Sequence, residues 1–407
     1  MKNKKVIIGA CLCLCIALVA VVLIIISDND NKESEKLSKG TVEQAKKSFQ
    51  SDIQELKDGR YDKLIYHDFK ASIDEVEGVY NIEIQRDTSY KDRTFLENFQ
   101  MMKEVIDKFF GEDFDKSFIS VDFNTSDGES IDVNYYDIET KYTDEEYSAL
   151  EPSFLFGSDT ANGGYMVQMT QSLNHTWLTK YQLGDIYASV YRKVYRYIAG
   201  IRQVEDAQIN LKDGQINLSE MEERVLDYLA NDFPLPISEN IVYGIGDARI
   251  VDNGDYDGVC FKIRRIYKGI PFEYGSTGSV GGYIDPLGHE SGELIYAVST
   301  SPDTLLGFGT VNGTVVENET ISEMFTLGAA LNMLSEKIGT NSTYDVYGVE
   351  LVYRECEVPE EQTYEIEGIL TPRWKVTTVN QNDDKYTVFY IDVVTGEITE
   401  RFEYYYE

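Results

Sequence analysis

Two stretches of the chain are written to one plan, and that recurrence limits the fold more than any other feature. At Ser219-Glu-Met-Glu222 a hydroxyl residue is followed three places on by glutamate, the capping-box spacing that satisfies two N–H groups left open at a helix start. Met221, Val225, Leu226 and Leu229 then supply an apolar stripe at helical spacing. The segments NIVYGIGDARIVD, YDGVCFKIRRIYKG, TGSVGGYID and ELIYAVST follow as strands. The plan repeats at Thr320-Ile-Ser-Glu323, with Met324, Leu327, Leu331, Leu334 and Ile338 as the stripe and Gly339 as the stop. Its strands are YDVYGVELVYRE, GILTPRWKVTTVN, KYTVFYIDVV and EITERFEYYY. A helix laid over one face of an antiparallel sheet buries the apolar side of both. The chain is therefore expected to be α+β, with tandem helix-plus-antiparallel-sheet modules at 216–310 and 311–407.

Residues 41–215 read as an N-terminal α+β ectodomain. Thr41-Val-Glu-Gln44 caps a helix carrying Val42, Ala45, Phe49, Ile53 and Leu56, and Thr94-Phe-Leu-Glu97 caps another carrying Phe99, Met102, Ile106 and Phe109, stopped by Gly111. VEGVYNIEIQ alternates between them as a strand, and SFISVDFN pairs with SIDVNYYDIE across a turn at Ser126-Asp-Gly128. A third helix is expected from about Asp185 to Ala199, where Tyr187, Val190, Tyr191, Val194, Tyr195 and Ile198 form a stripe read as core. Segment 151–180 carries no clear period.

Val6 to Ile26 is an uninterrupted apolar run, and 21 residues at about 1.5 Å each match the roughly 30 Å of a bilayer core. Lys2, Lys4 and Lys5 precede it and SDNDNKESE follows, so the C-terminal part is expected outside the cytoplasm. The run is longer than a signal-peptide core and has no clear cleavage site. Residues 1–26 thus read as a single-pass transmembrane anchor and 27–40 as a flexible stalk. Ile8-Gly9-Ala10-Cys11 loosely resembles a lipoprotein box, but the apolar residues continue past Cys11, which disfavours its lipidation. Outside the anchor, 34 basic residues face 71 acidic ones, a balance of about −37 that excludes nucleic acid as a partner.

Motifs for chemistry are sparse. His67, His175 and His289 stand in no ligand spacing. Gly244-Ile-Gly246 is half a dinucleotide fingerprint, with Arg249 where the third glycine belongs. Neither Ser276 nor Ser279 in YGSTGSVGG has the frame of a nucleophile elbow. Asp252, Asp255 and Asp257 put oxygen donors close together, as calcium requires, but Arg264 occupies the position of the closing glutamate, so a hairpin turn is the stronger reading and no cofactor is expected. Cys260 and Cys356 each fall in an expected strand, leaving a disulfide and two buried thiols both open.

The C-terminal block carries Tyr390-Ile-Asp392-Val-Val-Thr395-Gly396-Glu397-Ile398, with Pro372 and Trp374 upstream. This pattern resembles the closing half of the PepSY-type domain, over roughly 320–404 and more dimly over 217–300. The resemblance implies a helix on a sheet ended by a hairpin, in which Trp374, Asp392, Thr395 and Gly396 are structural. Proteins with such modules include propeptides of secreted metalloproteases and membrane-anchored extracytoplasmic proteins of Gram-positive bacteria. The resemblance therefore implies a non-enzymatic, membrane-anchored protein that binds or regulates an envelope partner such as a protease, cell-wall hydrolase or sensor kinase. The alternatives are an envelope enzyme using His175 or Asp159 within 151–180, and a surface protein that binds a cation or small ligand. Asp392 and Glu397 could be taken for an acid/base pair. The sequence favours a turn, with Gly396 at positive φ and Asp392 and Thr395 accepting backbone N–H bonds.

Overall fold

The computed structural model describes residues 39–85, 88–124, 129–159, 165–171, 173, 175–179, 195–196, 208–211, 214–231, 240–252, 257–273, 295–301, 304–311, 314–356, 366–382 and 386–403. The expected anchor, Cys11 and all of the stalk but its last two residues lie outside them. Among the described residues no helix is long and apolar enough to cross a membrane. The fold is mixed α+β and mostly strand.

Strand β1 (Lys39–Thr41) runs into α1 (Val42–Lys57), followed by β2 (Leu64–Tyr66) and β3 (Tyr80–Gln85). Helix α2 (Phe95–Phe110) leads to β4 (Ile119–Asn124), β5 (Ser130–Asn134), β6 (Glu151–Asp159), β7 (Tyr165–Met169) and β8 (His175–Thr179). After β9 (Tyr195–Arg196), β10 (Gln208–Leu211) and β11 (Gly214–Asn217) comes α3 (Leu218–Asn231). Then follow β12 (Ile241–Asp252), β13 (Asp257–Tyr267), β14 (Ile270–Glu273), β15 (Ile295–Ser301), β16 (Thr304–Val311), β17 (Thr314–Thr320) and β18 (Glu323–Phe325). Helix α4 (Leu327–Lys337) precedes β19 (Tyr344–Cys356), β20 (Ile366–Asn380), β21 (Tyr386–Asp392) and β22 (Ile398–Glu403).

Thr41 and Thr94 form both bonds of their capping boxes, and Gly111 ends α2 at φ +98. The other two expected caps are corrected. Asn217, not Ser219, accepts at the start of α3, 3.2 Å from the Glu220 N–H. Thr320 closes β17, Met324 lies in β18, and α4 is capped by Thr326, whose hydroxyl accepts from Ala329 N at 3.3 Å. Strand pairing explains the displacement: β17 pairs with β3 and β18 with β1, so ladders claim this backbone before a helix can begin. The same β1 ladder places Lys39 and Gly40, expected in the stalk, opposite Phe325 and Met324. Tyr195 and Arg196, expected in a helix, are extended and pair with Ile250 and Arg249; the rest of that stretch lies outside the described residues.

Two large apolar clusters stand out among the described residues. In the first, β19 and β20 form a long antiparallel ladder continued by β21 and β22. The N-terminal strands join it, β2 parallel to β19 and β3 antiparallel to both β20 and β17. Trp374, fully buried, stacks on Phe49 of α1 with ring centroids 5.9 Å apart and donates its indole N–H to Phe325 O at 2.8 Å. Residues 45–84 and 321–393 thus share one apolar cluster. The physical reason is area: α4 is an 11-residue helix, too short to cover strands of 13 and 15 residues, and α1 completes the cover.

The second core sets Phe95, Phe99, Met102 and Ile106 of α2 and Met221, Val225 and Leu229 of α3 against an antiparallel sheet. Its strand order is β5-β4-β6-β7-β8-β16-β15-β13-β12-β9. The stretch without a clear period, 151–180, supplies its middle strands. The β13–β14 hairpin turns at Lys268-Gly269, both at positive φ, and carries the chain to the first sheet, where β14 lies parallel to β19.

Candidate functional site

The turn between β21 and β22 is held by the Asp392 carboxylate and the Thr395 hydroxyl. Asp392 Oδ1 accepts from Val394 N at 2.9 Å and Thr395 N at 2.8 Å, and Thr395 Oγ1 accepts from Glu397 N at 3.2 Å. The backbone closes the turn, with Gly396 N donating to Asp392 O at 2.9 Å and Asp392 N to Glu397 O at 2.8 Å. Gly396 sits at φ +73, and a Cβ there would lie 3.0 Å from Met333 Sδ and 3.1 Å from Phe325 Cε2. Asp392 is buried and its carboxylate serves the turn, while Glu397 is exposed and joins the turn through its backbone.

The richest chemistry lies on the sheet face turned away from Trp374. Strand alternation puts Glu350, Val352 and Arg354 of β19 on this side, with Arg373 and Lys375 of β20 and Tyr390 and Asp392 of β21. Charged side chains on one face of an antiparallel sheet are ordinarily solvated. Yet Lys375 and Glu273 are each 6% exposed. Lys375 Nζ stands 2.9 Å from Glu273 Oε1, and the Tyr390 hydroxyl donates to the same oxygen at 3.2 Å. Arg264 of β13 grips Glu350 with two parallel bonds of 2.9 and 2.8 Å and passes 3.6 Å from Glu273. Burial raises the Glu350 pKa, but the charge and hydrogen bonds of Arg264 outweigh it and hold the carboxyl below its ordinary value.

Two further arginines extend this cluster. The Arg354 guanidinium lies 3.7 Å over the Tyr390 ring and donates to Thr399 Oγ1 at 3.2 Å. Arg373 donates to the same hydroxyl at 3.4 Å and to Thr371 Oγ1 at 3.3 Å, with Asp392 Oδ2 at 3.8 Å. Among the described residues this face carries Arg264, Arg354, Arg373 and Lys375 together with Glu273, Glu350 and Asp392. Such an array can fix the β13–β14 hairpin to the C-terminal sheet and recognise an oxyanion. Sequence reasoning missed it because Arg264 and Glu273 come from a distant segment. The legible signal was the opposite signs of Glu350 and Lys375, which face each other across β19 and β20.

The remaining sequence candidates are scattered. Asp252 and Asp257 are paired at the mouth of the β12–β13 hairpin, and Asp255 lies outside the described residues. Among the described residues no group of three His, Cys, Asp or Glu side chains could hold a metal. Gly246 falls at a bulge in β12. His175 pairs with Val311 in β8, and Asp159 ends β6 opposite Tyr165. His67 stacks on Tyr347 and places Nε2 3.2 Å from Asp345 Oδ1. Cys260 and Cys356 lie in β13 and β19. His289, Ser276 and Ser279 lie outside the described residues. No protein-family model matches the chain, and a comparison with curated proteins finds no match.

Proposed function

We propose that the chain is a non-enzymatic, single-pass membrane protein whose extracytoplasmic, PepSY-like part binds or regulates another cell-envelope protein, a protease, a cell-wall hydrolase or a sensor kinase. One observation carries this reading: the Asp392–Glu397 turn spends its polar groups on architecture, as a structural module requires and an acid/base site does not. Two helices over each antiparallel sheet, α1 with α4 and α2 with α3, are consistent with tandem helix-plus-sheet modules whose segments have interleaved. The test is capture from detergent-solubilised membranes by the full chain and by Gly396→Val, which disrupts the turn. Recovery of one envelope protein by the wild type alone supports the reading. Equal recovery by both, or none by the wild type, counts against it.

A further inference from the structure

We infer that loop 111–118 and the start of β7 form a docking surface for the partner protein, which meets it with a basic segment carrying an aromatic anchor. This deepens the partner-binding reading above and rests on it. The surface is built from rings. Phe110 ends α2, Phe114 lies in the loop, Phe118 precedes β4 and Tyr165 begins β7. Phe110 and Phe114 stack with centroids 4.9 Å apart, and Tyr165 and Phe118 meet Phe114 edge-on at 4.6 and 6.2 Å. Phe110 and Phe118 pack against the second apolar cluster, and Phe114 and Tyr165 continue the group outward from it. All four rings are partly exposed, and aromatic side chains in such positions are the commonest anchors of protein interfaces.

The loop is preorganised. A lysine is almost never fully buried unless its charge is met, and Lys116 is 2% exposed. Its ammonium donates to the carbonyls of Gly111, Glu112 and Phe114 at 2.9, 3.0 and 3.1 Å and pairs with Asp107 at 2.9 Å. Three of these four partners belong to the loop itself, so the buried charge fixes the backbone that carries Phe114. On the other side the Lys116 N–H donates to the Tyr136 hydroxyl at 2.8 Å, and Asp115 accepts from Ser117 N at 3.0 Å. A loop already held in one shape loses little freedom on binding.

Charge specifies the occupant. Glu112, Asp113 and Asp115 are exposed on the same loop as Phe114, at the rim of the rings. The whole chain carries −34, which draws a basic segment and repels an acidic one at long range. The rim carboxylates then act within a screening length of about 8 Å at physiological salt, on Lys or Arg beside the anchor. A basic segment with an aromatic anchor meets all three conditions, and an acidic or purely polar one does not.

The test uses the purified full chain and a dye-labelled peptide, acetyl-Lys-Phe-Lys-Gly-Lys-Phe-Lys-amide, read by fluorescence anisotropy. One counterpart replaces each Phe by Ala and another replaces each Lys by Glu. Both should bind at least about tenfold more weakly than the parent. Phe114→Ala should lose most of the preference for Phe, and Glu112→Gln combined with Asp113→Asn most of the preference for Lys, with urea midpoints showing both variants folded. The carboxamide pair, on exposed side chains, carries the test if Phe114→Ala unfolds. Equal binding of the three peptides, or undiminished preferences in the folded variants, overturns the inference. Membrane capture separates the two proposals. Variants that lose the peptide yet still capture the wild-type partner overturn the docking assignment and leave partner binding standing. Peptide binding as expected, with no partner captured by the wild type, supports the surface chemistry and sinks the partner reading.

Discussion

Gly59 and Gly396 offer a paired experiment, because they share a backbone conformation and differ in surroundings. Their φ values are +75 and +73, but a Cβ on Gly59 meets nothing within 4 Å while one on Gly396 meets Met333 Sδ at 3.0 Å and Phe325 Cε2 at 3.1 Å. Alanine in the left-handed region costs roughly 1–2 kcal/mol, so Gly59→Ala should destabilise by about that amount and no more. Gly396→Ala carries the same backbone cost plus overpacking of about 1–3 kcal/mol, for a total of about 2–5 kcal/mol. Met333 is flexible and absorbs part of the crowding, which favours the lower half of that range. Urea unfolding of the full chain reads the difference, followed by tryptophan fluorescence because Trp374 is one of only two tryptophans and sits in this core. Met333→Ala should return part of the loss in the Gly396→Ala background. If Gly396→Ala costs no more than Gly59→Ala, the turn is not packed against α4 and β18 as described.

Three further outcomes follow from charged groups inside the fold. Burial, opposed by hydrogen bonds from Gly328 N and Ser48, raises the Asp52 pKa. Its protonated form is thus favoured in the folded state, and the stability this gives below the unfolded pKa is lost as pH rises through the folded one. Asp52→Asn keeps an acceptor for Gly328 N, so its urea midpoint should gain on the wild type between acid and neutral pH. Lys116 is 2% exposed, and its ammonium donates to the carbonyls of Gly111, Glu112 and Phe114 and pairs with Asp107 at 2.9 Å. Lys116→Met should cost about 3 kcal/mol in thermal or urea unfolding, because it leaves a partly buried carboxylate without one of its partners. Burial raises the Asp107 pKa, but the bonds from Lys103 and Lys116 outweigh it, so the net shift is downward. That stability is present above the unfolded pKa and lost as pH falls through the folded one, and the acid limb of Lys116→Met should move to higher pH. Arg264→Met should destabilise by about 3 kcal/mol and Arg264→Lys by less, with an unchanged midpoint for Arg264→Met refuting the buried-pair account.

Local signals in the sequence were read correctly where local chemistry decides. The Thr41 and Thr94 boxes, the Gly111 stop, the hairpin joining β4 to β5 and the Asp392–Gly396 turn all depend on residues within a few positions of one another. The misplacements occur where a distant strand competes. Thr320 has a good capping-box spacing, but pairing of β17 with β3 uses its backbone; the Ser219 cap is instead a local misplacement, lost to Asn217 two residues earlier. Contacts between distant segments were illegible for the same reason. Nothing near Phe49 announces that its partner is Trp374, and nothing near Lys375 announces Glu273. For the candidate site, the sequence reading singled out none of Arg354, Arg373 and Lys375, although strand pairing sets them on one face. Only the structure shows Arg264 and Glu273 arriving to bury part of that face.

The central claim is that the first segment of the fold and the last form one body, and a double-mutant cycle across their stacked rings tests it most directly. Phe49→Leu and Trp374→Phe trim each partner without emptying the core, and urea unfolding of the wild type, both single variants and the double variant yields the interaction energy. Residues this far apart in sequence and in separate bodies would be additive within about 0.3–0.5 kcal/mol. The stack at 5.9 Å should instead give a coupling of about 0.5–1.5 kcal/mol, with all four proteins unfolding in one transition for this core. Strict additivity, or separate transitions for the two segments, would contradict it.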